Sequence, residues 1–136
     1  MFGNAIPVFR VDDVAKSVEH YVNVLGFKLN WGGEEGHLAS VSRGRCTIFL
    51  SEGDQGHQGA WTWVGVPDAE VIFAELKGKG AKIRHPPTNY YWALEMQVED
   101  LDGNVLRLGS DPKQGEPFGE WLDMQGRVWP TNGPSE

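Results

Sequence analysis

Hydrophobic and polar residues alternate along most of the chain, and glycine or aspartate interrupts the alternation at short intervals. A two-residue period is typical of strands whose two faces meet different surroundings. After Asp13 and again after Asp68, apolar residues recur instead at helical spacing. In both places the aspartate is a favourable N-cap residue. The pattern therefore predicts two helices among a larger number of strands.

The predicted elements form the same series twice. The first half contains a helix from Val14 to Leu25 and strands at 4–11, 27–31, 37–42 and 46–51. The second half contains a helix after Asp68, strands at 60–66, 81–84, 92–99 and 104–110, and a loop at 85–89. A series repeated within one chain indicates an internal repeat. We therefore predict an α+β fold in which two tandem βαβββ units form a curved mixed sheet around a cleft.

The whole chain, 1–136, is predicted to be a single domain, with a first unit at about 4–52 and a second at about 60–110. A tail over 111–136 departs from the strand pattern. Its first part, 111–117, has too many helix and strand breakers for regular structure, and the residues that follow are too apolar for a disordered segment: Phe118, Trp121, Leu122, Met124 and Trp129. We expect this tail to dock on the body or on a second subunit, with 131–136 frayed.

Composition and charge exclude several classes of function. The chain has 136 residues and a net charge of -7, without a cluster of Lys or Arg, which argues against nucleic-acid binding. No apolar run approaches the length of a membrane helix, and the N-terminus lacks the pattern of a signal peptide. The single cysteine, Cys46, excludes an internal disulfide and suits a reducing cytoplasm. We therefore expect a cytoplasmic protein without a membrane partner.

Two tryptophans in the middle of the chain are the first candidates for a functional site. Trp61 and Trp63 lie two residues apart in a predicted strand, so their indoles point to the same face of the sheet. One interpretation is a core packed with tryptophan. The other is an apolar floor on which a planar ligand stacks. Which interpretation holds depends on which other residues surround this strand in the fold.

The order of elements in the two units, and the aspartates and glycines between them, resemble those of the glyoxalase/bleomycin resistance protein/extradiol dioxygenase superfamily. This superfamily is also called the vicinal-oxygen-chelate superfamily. The resemblance covers about 5–110, and its motifs are Val11-Asp12-Asp13-Val14, Leu25-Gly26-Phe27 and Asp100-Leu101-Asp102-Gly103-Asn104. Catalytic members hold a divalent metal ion with His, Glu or Gln side chains from their first, fifth and eighth strands. The matching positions here are Ile6, Trp61 and Arg107.

None of these three side chains can ligate a hard divalent ion. The resemblance therefore implies a chain without a bound metal or other cofactor, and it assigns no catalytic residue. It is closest to the metal-free bleomycin-resistance proteins, through Ala5-Ile6-Pro7-Val8 and Ala60-Trp61-Thr62-Trp63-Val64. Those proteins form homodimers, often by exchanging the first strand, and hold a cationic, partly aromatic glycopeptide in clefts between subunits.

The resemblance thus implies a homodimer that sequesters a bleomycin-type antibiotic. The ligand site that it implies consists of Trp31, Glu34, Glu35, Trp61, Trp63, Trp92 and Arg107. The four tryptophans correspond to aromatic residues in or beside the family's cleft, and the two glutamates lie in an acidic loop. Arg107 would either repel a cationic ligand or grip an anionic one.

Other functions remain open at this point. An enzyme of the same fold, lyase or dioxygenase-like, would act on an unidentified metabolite, with Glu95 and Arg107 either as a catalytic pair or as an ordinary cross-strand ion pair. A relocated metal site would use histidines, of which His37 and His57 flank predicted strands, but no two histidines have the spacing of metal ligands. A protein-interaction module would use the tryptophans of the tail.

Overall fold

The computed structural model describes residues 1–34, 36–122 and 127–129. The helices are α1, Val14–Asn23, and α2, Ala69–Gly78. The strands of the first unit are β1 Val8–Arg10, β2 Lys28–Gly32, β3 Leu38–Arg43 and β4 Cys46–Ser51. Those of the second unit are β5 Trp61–Gly65, β6 Lys82–Asn89, β7 Leu94–Glu99 and β8 Val105–Ser110. Two short strands follow, β9 Trp121–Leu122 and β10 Val128–Trp129.

Each unit forms its own four-stranded mixed sheet. The strand orders are β1-β4-β3-β2 and β5-β8-β7-β6, and the short β9 and β10 pair with each other. In both large sheets the first strand runs parallel to the last, and the other pairs are antiparallel. Buried residues of both units belong to one hydrophobic core. The predicted α+β class with two tandem βαβββ units is confirmed.

Both predicted helix caps are confirmed. A carboxylate oxygen of Asp13 accepts a hydrogen bond of 3.0 Å from the backbone N–H of Lys16 at the start of α1. Asp68 accepts one of 2.9 Å from the backbone N–H of Glu70 at the start of α2. These bonds satisfy backbone donors that have no partner within the helix. Neither helix of the described chain is long and apolar enough to cross a membrane.

The prediction of a loop over 85–89 is wrong, because β6 continues as far as Asn89. Two prolines in this stretch suggested a break, since proline cannot donate a ladder hydrogen bond. The structure accommodates them because β6 is an edge strand and its register shifts twice, between Ile83 and His85 and between His85 and Thr88. Edge positions and bulges are where a sheet tolerates proline.

Two other strands are shorter than predicted. β1 begins only at Val8, after Pro7, whereas the prediction began at residue 4. β7 begins at Leu94, so Trp92 lies in the turn before the strand and not within it. Both differences lie at element boundaries, which residue patterns define least sharply.

The two units are joined by hydrogen bonds around the buried carboxylate of Asp100. Its Oδ2 accepts from the Tyr21 hydroxyl at 2.8 Å and from the Asn104 side chain at 2.9 Å. Its Oδ1 accepts from the backbone N–H groups of Asp102 at 2.8 Å and Asn104 at 3.0 Å. The Asn104 side chain also bonds the carbonyl of Arg10 in β1 and the N–H of Ala60 before β5. We call this arrangement the Asp100 cluster.

The segment after β8 runs back along β6. The Asn89 side chain donates to the carbonyl of Lys113 and accepts from its N–H, at 3.1 and 2.8 Å. Lys113 also forms an ion pair with Glu70 of α2, and Gly119 donates to the carbonyl of Asn89 at 2.7 Å. The predicted frayed end, 131–136, and Met124 lie outside the described residues.

Candidate ligand-binding face

One face of the second sheet carries aromatic and charged side chains where a core would carry aliphatic ones. The register places Trp63 opposite Arg107 and Trp61 opposite Val105, and it places Glu95 opposite Gly109. Because side chains alternate along strands, these residues share one face. The neighbouring positions, such as Leu106 and Met96, point to the other face and join the core with α2. We call the first surface the aromatic face.

Glu95 is the centre of the aromatic face. The residue is 4% exposed, and its Oε1 accepts a hydrogen bond of 2.6 Å from Nε of Arg107 in an ion pair. Its Oε2 accepts from two indole N–H groups, that of Trp63 at 3.1 Å and that of Trp92 at 2.6 Å. A buried carboxylate needs such donors, because an unpaired buried charge is costly. We call these four residues the Glu95 cluster.

The cluster fixes the direction of two indoles without burying them. Trp63 is 53% exposed although its N–H is bonded, so much of its ring is open to a ligand. The ring lies across Gly109, where an added Cβ would come within 2.5 Å of Cζ2 of Trp63. Glycine at this position therefore allows the indole to lie close to the sheet.

Trp61 lies beside the cluster and is covered on one side by an arginine. It is 36% exposed, and Cζ of Arg84 lies 5.1 Å from the centre of its ring. Arg84 is on β6 and Trp61 on β5, which are the two opposite edges of the sheet. The arginine side chain thus extends across the aromatic face.

Further aromatic rings extend the face around Trp92. Tyr90 stacks on Trp92 with parallel rings and centroids 4.6 Å apart, and Tyr91 meets Trp92 edge-to-face at 4.9 Å. Phe118 of the segment after β8 contacts Tyr91 edge-to-face. Burial is the largest cause that raises the pKa of Tyr90, so this phenol stays neutral at physiological pH.

The remaining predicted site residues belong to the first unit. Trp31 on β2 is 47% exposed and contacts Phe49 of β4 at 5.4 Å between ring centres. Within the described part of the chain, Trp31 has no ring contact with Trp61 or Trp63. Glu34 is exposed in the loop after β2, and Glu35 lies outside the described residues. One chain therefore brings together Trp61, Trp63, Trp92 and Arg107, but not Trp31 or Glu34.

The side chains at the superfamily's metal positions do not suit a divalent ion. Ile6 has no donor atom, the indole of Trp61 lies under the guanidinium of Arg84, and Arg107 is paired with Glu95. Two arginines at this place would repel a cation. The described residues also contain no group of three or more His, Cys, Asp or Glu able to hold a metal ion. His37, one of the alternative ligands considered, bonds Glu52 at 3.0 Å.

An apolar cavity of about 910 Å³ lies next to α2 and is lined by residues of both units, and Trp63 of the aromatic face also belongs to its lining. Its lining includes Val64 and Leu108 of the sheet, Ile72 of the helix, and Ala5 and Pro7 of the N-terminal segment. Three large apolar residues of that segment are exposed: Met1, Phe2 and Ile6. The cavity and the N-terminal segment together form an apolar surface that the described residues leave uncovered.

Several residues of the aromatic face were missing from the sequence-based site. Glu95 was considered only as the partner of Arg107, and its bonds to two indoles were not foreseen. Arg84 and Gly109 were not considered as site residues. The alternation of Glu95, Gln97 and Glu99 with apolar residues in β7 was the available signal, because it indicates a strand with one polar face. The contact between Arg84 and Trp61 had no signal, since it depends on a bulge in β6.

The sequence matches the family model described as "Glyoxalase/Bleomycin resistance protein/Dioxygenase superfamily" over residues 5–108. Among solved structures, TioX from Micromonospora sp. ML1 is similar, with 21% identity, 79% of this chain and 98% of that chain covered, and a TM-score of 0.70. So is a bleomycin-binding protein from bleomycin-producing Streptomyces verticillus, complexed with copper(II)-bleomycin. That protein shows 23% identity, 83% and 98% coverage, and a TM-score of 0.68.

A third similar structure is a glyoxalase/bleomycin resistance protein/dioxygenase from Nocardioides. It shows 16% identity, 88% coverage of this chain and 90% of that chain, and a TM-score of 0.66. A search of the curated proteins found no match. At these identities the structural likeness establishes the fold alone, so the ligand has to be argued from the aromatic face.

Proposed function

This chain belongs to the glyoxalase/bleomycin resistance protein/dioxygenase superfamily, and we propose that it binds and sequesters a small, partly aromatic molecule on the aromatic face. The finer form of the proposal is a bleomycin-type antibiotic, with resistance as the outcome. The similar fold of a bleomycin-binding protein supports that form. The superfamily also contains enzymes, so the proposal depends on features of this chain's own face.

The Glu95 cluster is the observation that carries the proposal. An exposed indole normally has freedom to rotate, and a ligand that stacks on it must restrict that motion at a cost in entropy. Here the carboxylate of Glu95 already holds Trp63 and Trp92 by their N–H groups. The outward face of the Trp63 ring remains available, and a ligand ring stacked on it would contribute about 0.5–1.5 kcal/mol beyond burial. The face is therefore organised for a planar ligand before the ligand arrives.

The geometry of the Glu95 cluster supports binding more than catalysis. Both carboxylate oxygens of Glu95 accept hydrogen bonds, one from Arg107 and the other from two indoles. A general base needs an oxygen free to approach the substrate proton. Glu95 would have to break bonds to its neighbours before it could act in that way.

We also propose that the working form is a homodimer. Trp31 and the acidic Glu34 lie on the first unit and have no ring contact or ion pair with the aromatic face within the described chain. A second copy is one way to bring such a surface opposite the aromatic face. The apolar cavity beside α2 and the exposed apolar N-terminal segment also favour association. In such a dimer, Glu34 and the net charge of -7 would favour a positive charge on the ligand.

The test is calorimetric titration of metal-free bleomycin into the wild-type protein and into Trp63→Ala. We expect sub-micromolar binding at one ligand per chain for the wild type, and a loss of at least about tenfold in affinity for the variant. Val71→Ala is the control, because Val71 is 63% exposed on α2, away from the aromatic face. It should bind as the wild type does.

Two results would contradict the proposal in different ways. Equal affinity of Trp63→Ala and wild type would show that the aromatic face is not the binding surface. Absence of bleomycin binding to the wild type would exclude a bleomycin-type antibiotic as the ligand. Sedimentation of the wild type at the mass of a single chain would contradict the proposed dimer.

A further inference from the structure

Arg84 occupies an unusual position on the aromatic face. The register of β6 shifts between Ile83 and His85, so Arg84 is an extra residue in a bulge. Bulges redirect side chains relative to the regular pleat. This one lets Arg84 extend from one edge strand to Trp61 on the opposite edge, where its guanidinium carbon lies 5.1 Å from the ring centre.

Among the described residues, the guanidinium of Arg84 finds no hydrogen-bond acceptor. Its Nε is buried without a hydrogen bond, and no ion pair or hydrogen bond within the described residues involves this side chain. Other arginines of the chain differ in this respect. Arg107 pairs with Glu95, Arg43 with Glu75, and Arg10 donates to backbone carbonyls. A partly buried cation without an acceptor is unfavourable, so an arriving acceptor would gain more there than in water.

Stacking on an indole prepares a guanidinium to bind an anion. The guanidinium carbon lies over the ring, 5.1 Å from its centre, and the N–H donors of the group form one planar fork. That fork matches the two oxygens of a carboxylate or a similar oxyanion. The carboxylates on this face agree with this chemistry, because Glu95 is paired with Arg107 and Glu99 is paired with Lys82, so neither serves as the acceptor for Arg84.

We propose that Arg84 recognises an acidic group on the ligand, so that the ligand of the aromatic face carries a carboxylate or similar oxyanion next to its planar ring. The inference rests on the proposed function in one respect, namely that this face binds an aromatic molecule. It adds a requirement that bleomycin-type binding does not contain. A positive charge elsewhere on the same ligand is compatible with it.

The test uses three probes that share one aromatic ring system and differ in charge: naphthoate, the neutral naphthamide, and naphthylmethylammonium. Calorimetry measures the affinity of each for the wild type and for Arg84→Gln. We expect the wild type to bind naphthoate at least about tenfold more tightly than naphthamide, as a charge-assisted hydrogen-bonded pair would give. In Arg84→Gln the affinities for naphthoate and naphthamide should become equal.

Two further variants distinguish the effect of the planar N–H donors of Arg84 from the effect of its positive charge. Arg84→Lys keeps the charge but loses the planar donors, so it should keep only part of the preference, about threefold. Lys79→Gln changes the net charge by the same amount as Arg84→Gln. Lys79 is exposed at the C-terminal cap of α2, and α2 packs on the side of the sheet opposite to the aromatic face, so this control should keep the full preference.

The outcomes distinguish this inference from the proposed function. Equal binding of naphthoate and naphthamide to the wild type, or a preference that survives in Arg84→Gln, would overturn the role of Arg84. A preference for naphthoate without any binding of bleomycin would support the role of Arg84 and exclude a bleomycin-type antibiotic as the ligand. Bleomycin binding without a preference for naphthoate would support the antibiotic as the ligand and overturn the role of Arg84. No binding of any probe or of bleomycin would overturn both.

Discussion

The second unit contains two buried carboxylates, and both are surrounded by hydrogen-bond donors. Asp100 and Glu95 are each 4% exposed. The donors to Asp100 are two backbone N–H groups, a fully buried tyrosine hydroxyl and a fully buried asparagine amide. The donors to Glu95 are the ends of large side chains, two of them indoles of partly exposed tryptophans.

The comparison distinguishes the carboxylate of Asp100, which joins the two units, from that of Glu95, which orients side chains on the aromatic face. Tyr21 and Asn104 beside Asp100 are fully buried and Asp102 is half-buried, and the bonds of Asn104 connect β1 to the entry of β5. Burial and the neighbouring Asp100 raise the pKa of Tyr21 well above its usual value, which keeps this hydroxyl a donor. Around Glu95, by contrast, one bonded indole, that of Trp63, is 53% exposed. The same chemistry therefore joins the two units in one place and, in the proposed function, supports ligand binding in the other.

The largest expected effect follows from breaking the Asp100 cluster. Asp100→Asn replaces one acceptor oxygen by an amide donor, which then faces two donors in either orientation of the amide. We expect the free energy of unfolding to fall by about 3 kcal/mol, because buried donors lose their acceptor. Urea denaturation measures this change. Ligand affinity of the protein that remains folded should be unchanged.

Asp111→Asn is the control for this substitution, since Asp111 is exposed just after β8. Its free energy of unfolding should stay within about 0.5 kcal/mol of the wild type. If Asp100→Asn were equally mild, the Asp100 cluster would not be what joins the two units.

The sequence predicted the part of the molecule that depends on local chemistry. The caps at Asp13 and Asp68 and the repeated βαβββ order follow from residue type and spacing, and both are present. The continuation of β6 through Pro86 and Pro87 could not be predicted in this way. A proline is tolerated there because the strand lies at the sheet edge, and edge position depends on the pairing of strands distant in sequence.

The second expected effect comes from breaking the Glu95 cluster. Glu95→Gln removes the charge that pairs with Arg107 and leaves one acceptor oxygen for three donors. We expect the free energy of unfolding to fall by about 1–2 kcal/mol, less than for Asp100→Asn, because the partners of Glu95 can reach solvent. Ligand affinity should fall about tenfold, since the indoles lose their fixed orientation. Titration and urea denaturation together give both values.

Glu99→Gln provides the matched control. Glu99 is on the same strand and pairs with Lys82, whose side chain is 72% exposed. The Glu99 side chain itself is 18% exposed, so the pair is half-buried; its loss should lower the free energy of unfolding by about 1 kcal/mol, and affinity should be unchanged. Wild-type affinity in Glu95→Gln would mean that the cluster does not position the indoles for the ligand.

The candidate site was predictable only in part, because some of its long side chains contact residues on other strands and turns. Trp61 and Trp63 follow from alternation within one strand, which a sequence displays directly. The contacts of Glu95 with Trp92 and of Arg84 with Trp61 depend on turns and bulges that redirect long side chains across the sheet. Residues such as Trp31 were placed by the family resemblance, and within one chain no described ring contact joins it to Trp61 or Trp63.

The smallest expected effect tests whether orientation of one indole matters separately from stability. In Gly109→Ala the new methyl group would lie 2.5 Å from the Trp63 ring, so the ring must move away from the sheet and from Glu95. Because Trp63 is partly exposed, this movement should cost only about 1 kcal/mol of stability. Affinity should nevertheless fall about fivefold through loss of the stacked ring.

Gly78→Ala is the same chemical change at a place where the added Cβ meets nothing within 4 Å, near the end of α2. It should raise stability by about 0.5–1 kcal/mol, because alanine loses less backbone entropy than glycine in a helix, and it should leave affinity unchanged. Two identical substitutions would then differ in the sign of their effect on stability, and only one would weaken binding. If Gly109→Ala kept the affinity of the wild type, the ligand would not depend on how Trp63 lies, and Glu95 would belong with Asp100 as a purely structural carboxylate.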